Sequence, residues 1–214
     1  MFNKESSMAK EDRTETLVKN FETLKTQTLK VDGARGKILT GFLDENAERV
    51  MLAPASTRLD YVCAYQGGLV EHSLRVLSFM AKARNAYGLG EALPVSSVVL
   101  VSLFHDIGKI GSKTKDYYLD NDSQWHRDKL GVMFNVAERF QHIPVSQLSL
   151  MHLTENGVQL DMDEWYAISS IRERSTKNED TPVNGEPLLA VILQQAVKIS
   201  CIFGKGKTEP TVVG

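Results

Sequence analysis

Residues 95–106, VSSVVLVSLFHD, decide how the rest of the chain is read. An apolar run this rich in β-branched residues suits a buried strand or a buried helix, and periodicity inside it does not separate the two. Its length and the polar HD-x-GK sequence that closes it, His105 to Lys109, favour the helix. A histidine and an aspartate at the end of such a run are costly to bury unless something pairs with them. The stretch therefore poses a question of chemistry together with one of fold.

Upstream, GGLVEHSLRV (67–76) opens a helix that runs to about Tyr87, with Leu69, Leu74, Val76, Leu77, Phe79 and Met80 as its apolar surface. GLGEALP breaks the chain between the two helices. Before them, APASTRLDY (53–61) reads as an extended loop, because Pro54 biases Ala53 away from helix and Ser56 and Thr57 favour turns. Residues 1–11 look frayed, and EDRTETLVKNFETLKTQTLK carries Leu17, Val18, Phe21, Leu24 and Leu29 at helical spacing. After a turn at Asp32, Gly33 and Gly36, GKILTGFLDENAERVML resumes the pattern, so the first fifty residues form a helical hairpin that must lean on the rest.

Downstream, SKTKDYYLDNDSQWHR is a polar connection and KLGVMFNVAERF reads as a helix. VSQLSLMHL and DMDEWYAISSIRER give two more, the second with an acidic first turn that suits a helix N-terminus. TKNEDTPVNGEP is a loop by composition. EPLLAVILQQAVKISCIF is the last strong helix, apolar almost all round and so expected at the centre, and GKGKTEPTVVG is a tail. The expected fold is mainly α, divided into an N-terminal helical segment (1–50), a helical domain (51–203) and the tail (204–214).

Composition narrows the functional classes. Hydrophobic residues at 42% and charged residues at 24% are ordinary for a globular chain, and 214 residues suffice for a sizeable core. A net charge of −2 supplies no global positive field, which favours a small phosphorylated ligand over a long duplex. No signal-like start or membrane-length apolar run is present, and Cys63 and Cys201 match no C-x-x-C spacing, so the expectation is a cytoplasmic protein that meets no membrane.

A divalent cation held for phosphate chemistry wants imidazole and carboxylate ligands with positions left open. His72, His105 and Asp106 supply that mixture. Neighbours on a helix point about 100° apart, so His105 and Asp106 reach one ion only near the helix end, where Gly108 is placed to stop it. Lys109 then emerges beside the site as a point charge for a phosphate oxygen. For His126, His142 and His152 taken singly, and for His72 taken alone, a structural role is the better reading.

GGLVEHSLRV followed by LFHDIGKI resembles the core of the HD-domain superfamily of metal-dependent phosphohydrolases, helical proteins whose signature is His, then His-Asp, then a distant Asp. The combination is similar to HD-type 3′-to-5′ exoribonucleases and to short HD proteins of tailed phages. APASTRLDY, SQWHRDKLG and DEWYAI resemble segments of the phage-type group, and the likeness spans residues 50 to about 203. The resemblance implies an HD-like helical bundle acting on a nucleotide, another phosphorylated small molecule or a single-stranded nucleic-acid end, in the bacterial host's cytoplasm if phage-encoded. It implies His72, His105 and Asp106 as ligands to manganese, magnesium, cobalt, nickel or iron, with Asp106 and Lys109 catalytic. Lys109, Arg58, His126 and Arg127 become candidates for substrate contact. For Arg58 a solvated loop cation competes equally with that role, for Arg127 and Lys129 a solvated face is the better reading, and Lys113 and Lys115 can serve simply to keep a surface soluble. Glu71 could assist proton transfer, but an exposed helical glutamate is the simpler reading.

Two departures stand against the family pattern. Ala196-Val197 occupies the place of the last Ala-Asp, and ISSIRERS (168–175) lacks a His-Asp-Gly. Gln194 and Cys201, three before and four after Val197, are the helical neighbours that could substitute. The chain is thus a phosphohydrolase, or an HD-fold binding or regulatory protein with an impaired site, or, since two histidines and a carboxylate also describe it, a non-haem iron protein. The N-terminal hairpin would serve packing or homo-oligomer formation equally well.

Overall fold

A computed structural model describes residues 2–171 and 185–213, with side chains described from residue 12 onward. Helices α1 (Phe2–Thr28), α2 (Gly33–Glu45) and α3 (Ala47–Leu52) precede α4 (Gly68–Ala86) and α5 (Val95–Phe104). A 3-10 turn over Ile107–Ile110 leads to β1 (Tyr118–Asp120), α6 (Gln124–Leu130) and β2 (Phe134–Val136). A second 3-10 turn, α7 (Val145–Glu155), α8 (Met162–Ser169) and α9 (Leu188–Gly204) complete the order. The fold is mainly α, and among the described residues no helix is long and apolar enough to cross a membrane. Most of the TKNEDTPVNGEP loop, and the end of ISSIRERS, fall on residues 172–184, outside the described residues.

The deciding stretch is a helix. Every residue of α5 from Ser97 to Phe104 is buried, and α1, α4, α8 and α9 all pack on it. Burial on all sides explains the missing periodicity, and packing outweighs the modest helix propensity of its valines. One apolar cluster runs from Phe21 and Leu24 of α1, through Leu39, Phe42 and Leu43 of α2, to Leu193 and Ala196 of α9, crossing residue 50 without a break.

Four expectations need correction. The centre belongs to α5, not α9, which buries one face while Ile202 and Phe203 at its end are 74% and 62% exposed. KLGVMFNVAERF is not a helix. Gly131, at φ 62°, stops α6, and Phe134–Val136 then pairs antiparallel with β1, Tyr118 opposite Val136. That positive φ is cheap only for glycine, and the aromatic and β-branched residues after it suit a strand. The stretch read as frayed is helical from Phe2. The C-terminal residues are no loose tail either: Cys63 N–H donates to Gly204 O, Gly206 N–H to Leu59 O, and the Asn20 side chain bonds both Thr211 O and Val213 N.

Close backbone approach positions the two motif segments. A Cβ on Gly67 would lie 2.1 Å from Leu17 Cδ2, and one on Gly68 would lie 2.0 Å from Cys63 O. Only paired glycines let α4 start this tightly against α1 and the 53–65 loop. The acidic start of α8 is a capping box, with Asp161 accepting from Glu164 N–H at 2.7 Å and Glu164 accepting from Asp161 N–H at 3.1 Å. Gly108 does not end a helix by adopting positive φ. It allows the 3-10 turn to touch α7, where an added Cβ would sit 2.6 Å from both Leu148 Cβ and Val145 O.

Gly108→Ala is expected to lower the unfolding free energy by about 1–3 kcal/mol through overpacking. Gly41→Ala, whose Cβ meets nothing within 4 Å, is expected to raise it by about 0.5–1 kcal/mol. Urea denaturation midpoints at unchanged m-value check both.

Candidate metal centre

His72 lies in the second turn of α4, His105 caps the C-terminus of α5, and Asp106 follows at φ −111°, ψ 9°, where helical geometry has given way. That loosened backbone turns two consecutive side chains toward one point. Asp106 Oδ2 is 3.9 Å from His72 Nε2 and 3.7 Å from His105 Nε2, and the imidazole centroids are 5.5 Å apart, edge to face. One ligand atom from each of the three lies within 4.8 Å of the others. Their side chains are at most 5% exposed.

The outer hydrogen bonds orient both rings. His105 Nδ1 is 2.9 Å from Ser102 O, a carbonyl that can only accept, so Nδ1 carries the hydrogen and a neutral ring leaves its Nε2 lone pair facing the carboxylate. His72 Nδ1 is 2.9 Å from Ser200 Oγ on α9, which holds that ring with its own Nε2 toward the same point. Bonds of about 2.0–2.3 Å to a cation put neighbouring donors about 3–4 Å apart. The donor types suit a divalent cation, and His72, His105 and Asp106 are the described residues that could hold one.

Lys109 stands inside this site rather than emerging beside it. Its side chain is fully buried, donating to Asp106 Oδ2 and, at 2.6 Å, to Ala55 O. The same carbonyl accepts from Tyr118 Oη at 3.4 Å. Lys109 also lines a cleft of about 520 Å³ whose walls include Arg49, Gln66, Tyr117, Tyr118 and Phe134. Arg49 holds the far side together, donating to Asp116 at 2.8 Å, to Lys115 O at 3.0 Å and to Ile110 O.

The remaining candidates lie elsewhere. Arg58 grips Asp60 through two 2.9 Å hydrogen bonds and covers the Tyr61 ring. His126 is exposed with Nδ1 2.6 Å from Ser123 Oγ, and Arg127 donates to Asn121 O. None of the three lines the cleft beside Lys109. Lys113, Lys115 and Lys129 are exposed.

Glu71 is a correction, since it is fully buried. Its carboxylate accepts from Tyr65 Oη at 2.8 Å, from Thr211 N–H at 2.8 Å, from Thr211 Oγ1 at 2.7 Å, and from Arg75. It fastens the C-terminal segment to α4, and burial pushes the Tyr65 hydroxyl's pKa well up. Neither proposed substitute for the last aspartate joins the cluster. Gln194 donates to Ser170 Oγ at 3.2 Å, and Cys201 packs on Ala55, Val62, Cys63 and Tyr65. Val197 is half-buried against the main core.

Ser200, Arg49 and Tyr118 are the contributors that sequence reasoning missed. Ser102, three residues before His105, carried a signal in that spacing; the other three come from distant segments and carried none. His142 is exposed. His152 is a structural histidine, buried, with Nε2 donating to Gly111 O at 2.6 Å and its ring against Phe42. In comparisons with known proteins, the chain matches no family model, no curated protein and no solved structure.

Burial holds the His152 pKa below the ordinary imidazole range, the Gly111 hydrogen bond opposing only in part. Between the lowered folded value and the unfolded value of about 6.5 the unfolded chain binds more protons, so this contribution is complete above about pH 6.5 and is lost on acidification. Unfolding free energies measured from pH 5 to 8 should fall toward acid, with a shallower fall in His152→Gln.

Proposed function

We propose that the protein is an HD-type metal-dependent phosphohydrolase acting on a nucleotide or a nucleic-acid end. The observation that carries this is the convergence of His72 Nε2, His105 Nε2 and Asp106 Oδ2, with both rings oriented from behind by Ser200 and Ser102. A divalent cation there would supply a Lewis acid for a phosphoryl oxygen and acidify a water for attack on phosphorus.

The chain's own residues divide the remaining work. The two neutral imidazoles and the Asp106 carboxylate hold the cation. Lys109 borders the cleft and holds its fully buried ammonium on Asp106, beside the candidate ligands, where it would offset charge on a phosphoryl group. Tyr118 and Phe134, both partly exposed, line that cleft with rings on which a base can stack, beside the carboxylates of Glu48, Asp116 and Asp120. The balanced net charge and the cleft's limited volume fit a short ligand better than a long polyanion.

A second reading, an HD-fold binding or regulatory protein with an impaired site, draws on α9. That helix brings the Ser200 hydroxyl to His72, while Val197, at the place of a further carboxylate, contributes only an apolar side chain. Losing that charge weakens cation binding without disturbing the fold.

Elemental analysis of the purified protein and phosphate release from a panel of nucleotides and RNA and DNA ends with manganese, magnesium, cobalt and nickel separate the two. Asp106→Ala should cut turnover at least about 10²-fold. Ser200→Ala should weaken cation affinity about 10- to 100-fold while leaving turnover at saturating metal nearly intact. An inert wild type that gains turnover in Val197→Asp establishes the impaired site instead, and bound iron with oxygen consumption points to redox chemistry.

A further inference from the structure

The C-terminal end of α9 carries an apolar patch. Ile199, Ile202 and Phe203 are exposed there, the last two by 74% and 62%. The Phe203 ring meets Phe79 of α4, with centroids 5.6 Å apart, so the patch continues across two helices. Single exposed apolar residues are ordinary, whereas a contiguous group marks a contact surface.

The charge around this patch has one sign. From Leu188 to Gly204, α9 contains one charged residue, Lys198, and the chain continues with Lys205 and Lys207. Lys198 lies four positions before Ile202, on the same helix face. Lys205 borders a groove together with Ile202, and Lys82 Nζ sits 5.9 Å from the Phe79 ring centroid. Lys82, Lys198 and Lys205 are all exposed. Asp60, which also lines that groove, is taken by Arg58. The single carboxylate of α4, Glu71, is buried and held by Tyr65, Arg75 and Thr211. In a chain of net charge −2, the exposed charges of α4 and α9 are thus all cationic.

Charge and shape together choose the partner. A second copy docked two-fold on this face would set Lys198 and Lys205 against their own counterparts, and like charges oppose that contact. A peptide needs a concave seat, yet Phe79, Ile199 and Phe203 lie outside the groove that Ile202 borders. Protruding apolar side chains with lysines beside them suit a lipid headgroup layer, where apolar atoms pass among the acyl chains while the ammonium groups stay with the phosphates. We propose that this face docks on an anionic lipid surface, with Ile199, Ile202 and Phe203 entering the interfacial layer and Lys82, Lys198 and Lys205 contacting the headgroups. Among the described residues no helix is long and apolar enough to cross a membrane, and a surface contact needs none. A few apolar side chains attach only weakly, so the apolar and the basic contributions are required together. None of the candidate metal ligands takes part, and the proposal stands or falls apart from the phosphohydrolase reading.

The test is flotation of the full chain with vesicles of phosphatidylcholine alone or mixed with phosphatidylserine, at low and high salt. The expected result is flotation with the mixed vesicles only, weakened as salt rises. Each lysine near such a surface contributes about fivefold, so Lys82→Gln with Lys198→Gln and Lys205→Gln should lower partitioning on the order of 100-fold. Ile202→Ser with Phe203→Ser should abolish flotation. Both variants are altered only at exposed positions and should keep the wild-type melting temperature. Phe203→Trp gives a readout that does not depend on loss: vesicles with brominated acyl chains should quench its fluorescence beyond the response of the wild type, which has Trp125 and Trp165 alone.

Equal flotation with both lipids, or flotation unchanged in either multiple variant, overturns the proposal. A wild type that floats with neither lipid overturns it as well. In that case self-association, or capture of single-stranded DNA, that disappears in Ile202→Ser with Phe203→Ser assigns the face to that partner instead.

Discussion

A helix buried on every side cannot end in charged residues unless they find partners inside the protein. That constraint governs this molecule from α5 outward. Val98 to Phe104 leave no polar face to turn toward water, so His105, Asp106 and Lys109 arrive in the interior with the helix that carries them. There they satisfy one another and the elements packed around them. Asp106 takes the Lys109 ammonium, His105 uses the carbonyl of Ser102, and Lys109 reaches Ala55 in a segment fifty residues earlier. Removing one member of such a set leaves another buried without compensation, which typically costs more than the intact interaction contributes.

The neighbouring helices are placed by what they can approach. Gly67 and Gly68 let the start of α4 close on the Ala53–Tyr65 loop, and His72 follows one turn later against Asp106. Gly108 does the same for the 3-10 turn against α7. Further out, the Glu71 carboxylate draws Thr211 onto α4, so the residue beside a candidate ligand also holds the end of the chain. Adjacent positions on one helix turn point about 100° apart, which lets His72 serve the interior cluster while Glu71 serves the C-terminal segment.

What the sequence made legible was the local part of this arrangement. Whereas His72 entered through the resemblance of GGLVEHSLRV to a known motif, His105 and Asp106 could be read because burying polar residues after VSSVVLVSLF demands partners. The helical character of that run followed from its length. Features that depend on distant packing could not be read in the same way. Apolar content marked α9 as central, yet Ile202 and Phe203 are exposed, because composition does not say how many neighbours cover a helix. Gly108 looked like a stop signal, and only the position of α7 reveals that it is a contact surface. KLGVMFNVAERF carried enough apolar residues for a helix, but Gly131 in the left-handed region and the presence of β1 redirect it. Ser200 was invisible for a plainer reason: a hydroxyl 128 positions away from His72 leaves no trace in spacing.

The Ser200 contact also separates two properties that a carboxylate ligand would join. A serine hydroxyl at His72 Nδ1 fixes the ring's direction without adding charge. An aspartate at the place of Val197 would add charge and a further ligand. The site therefore keeps the orientation of its imidazoles while its electrostatics rest on the single carboxylate of Asp106, already balanced by Lys109. Removing either partner of the Asp106–Lys109 pair would strand the other's charge in the interior, so the pair and the two rings facing it are held as one set.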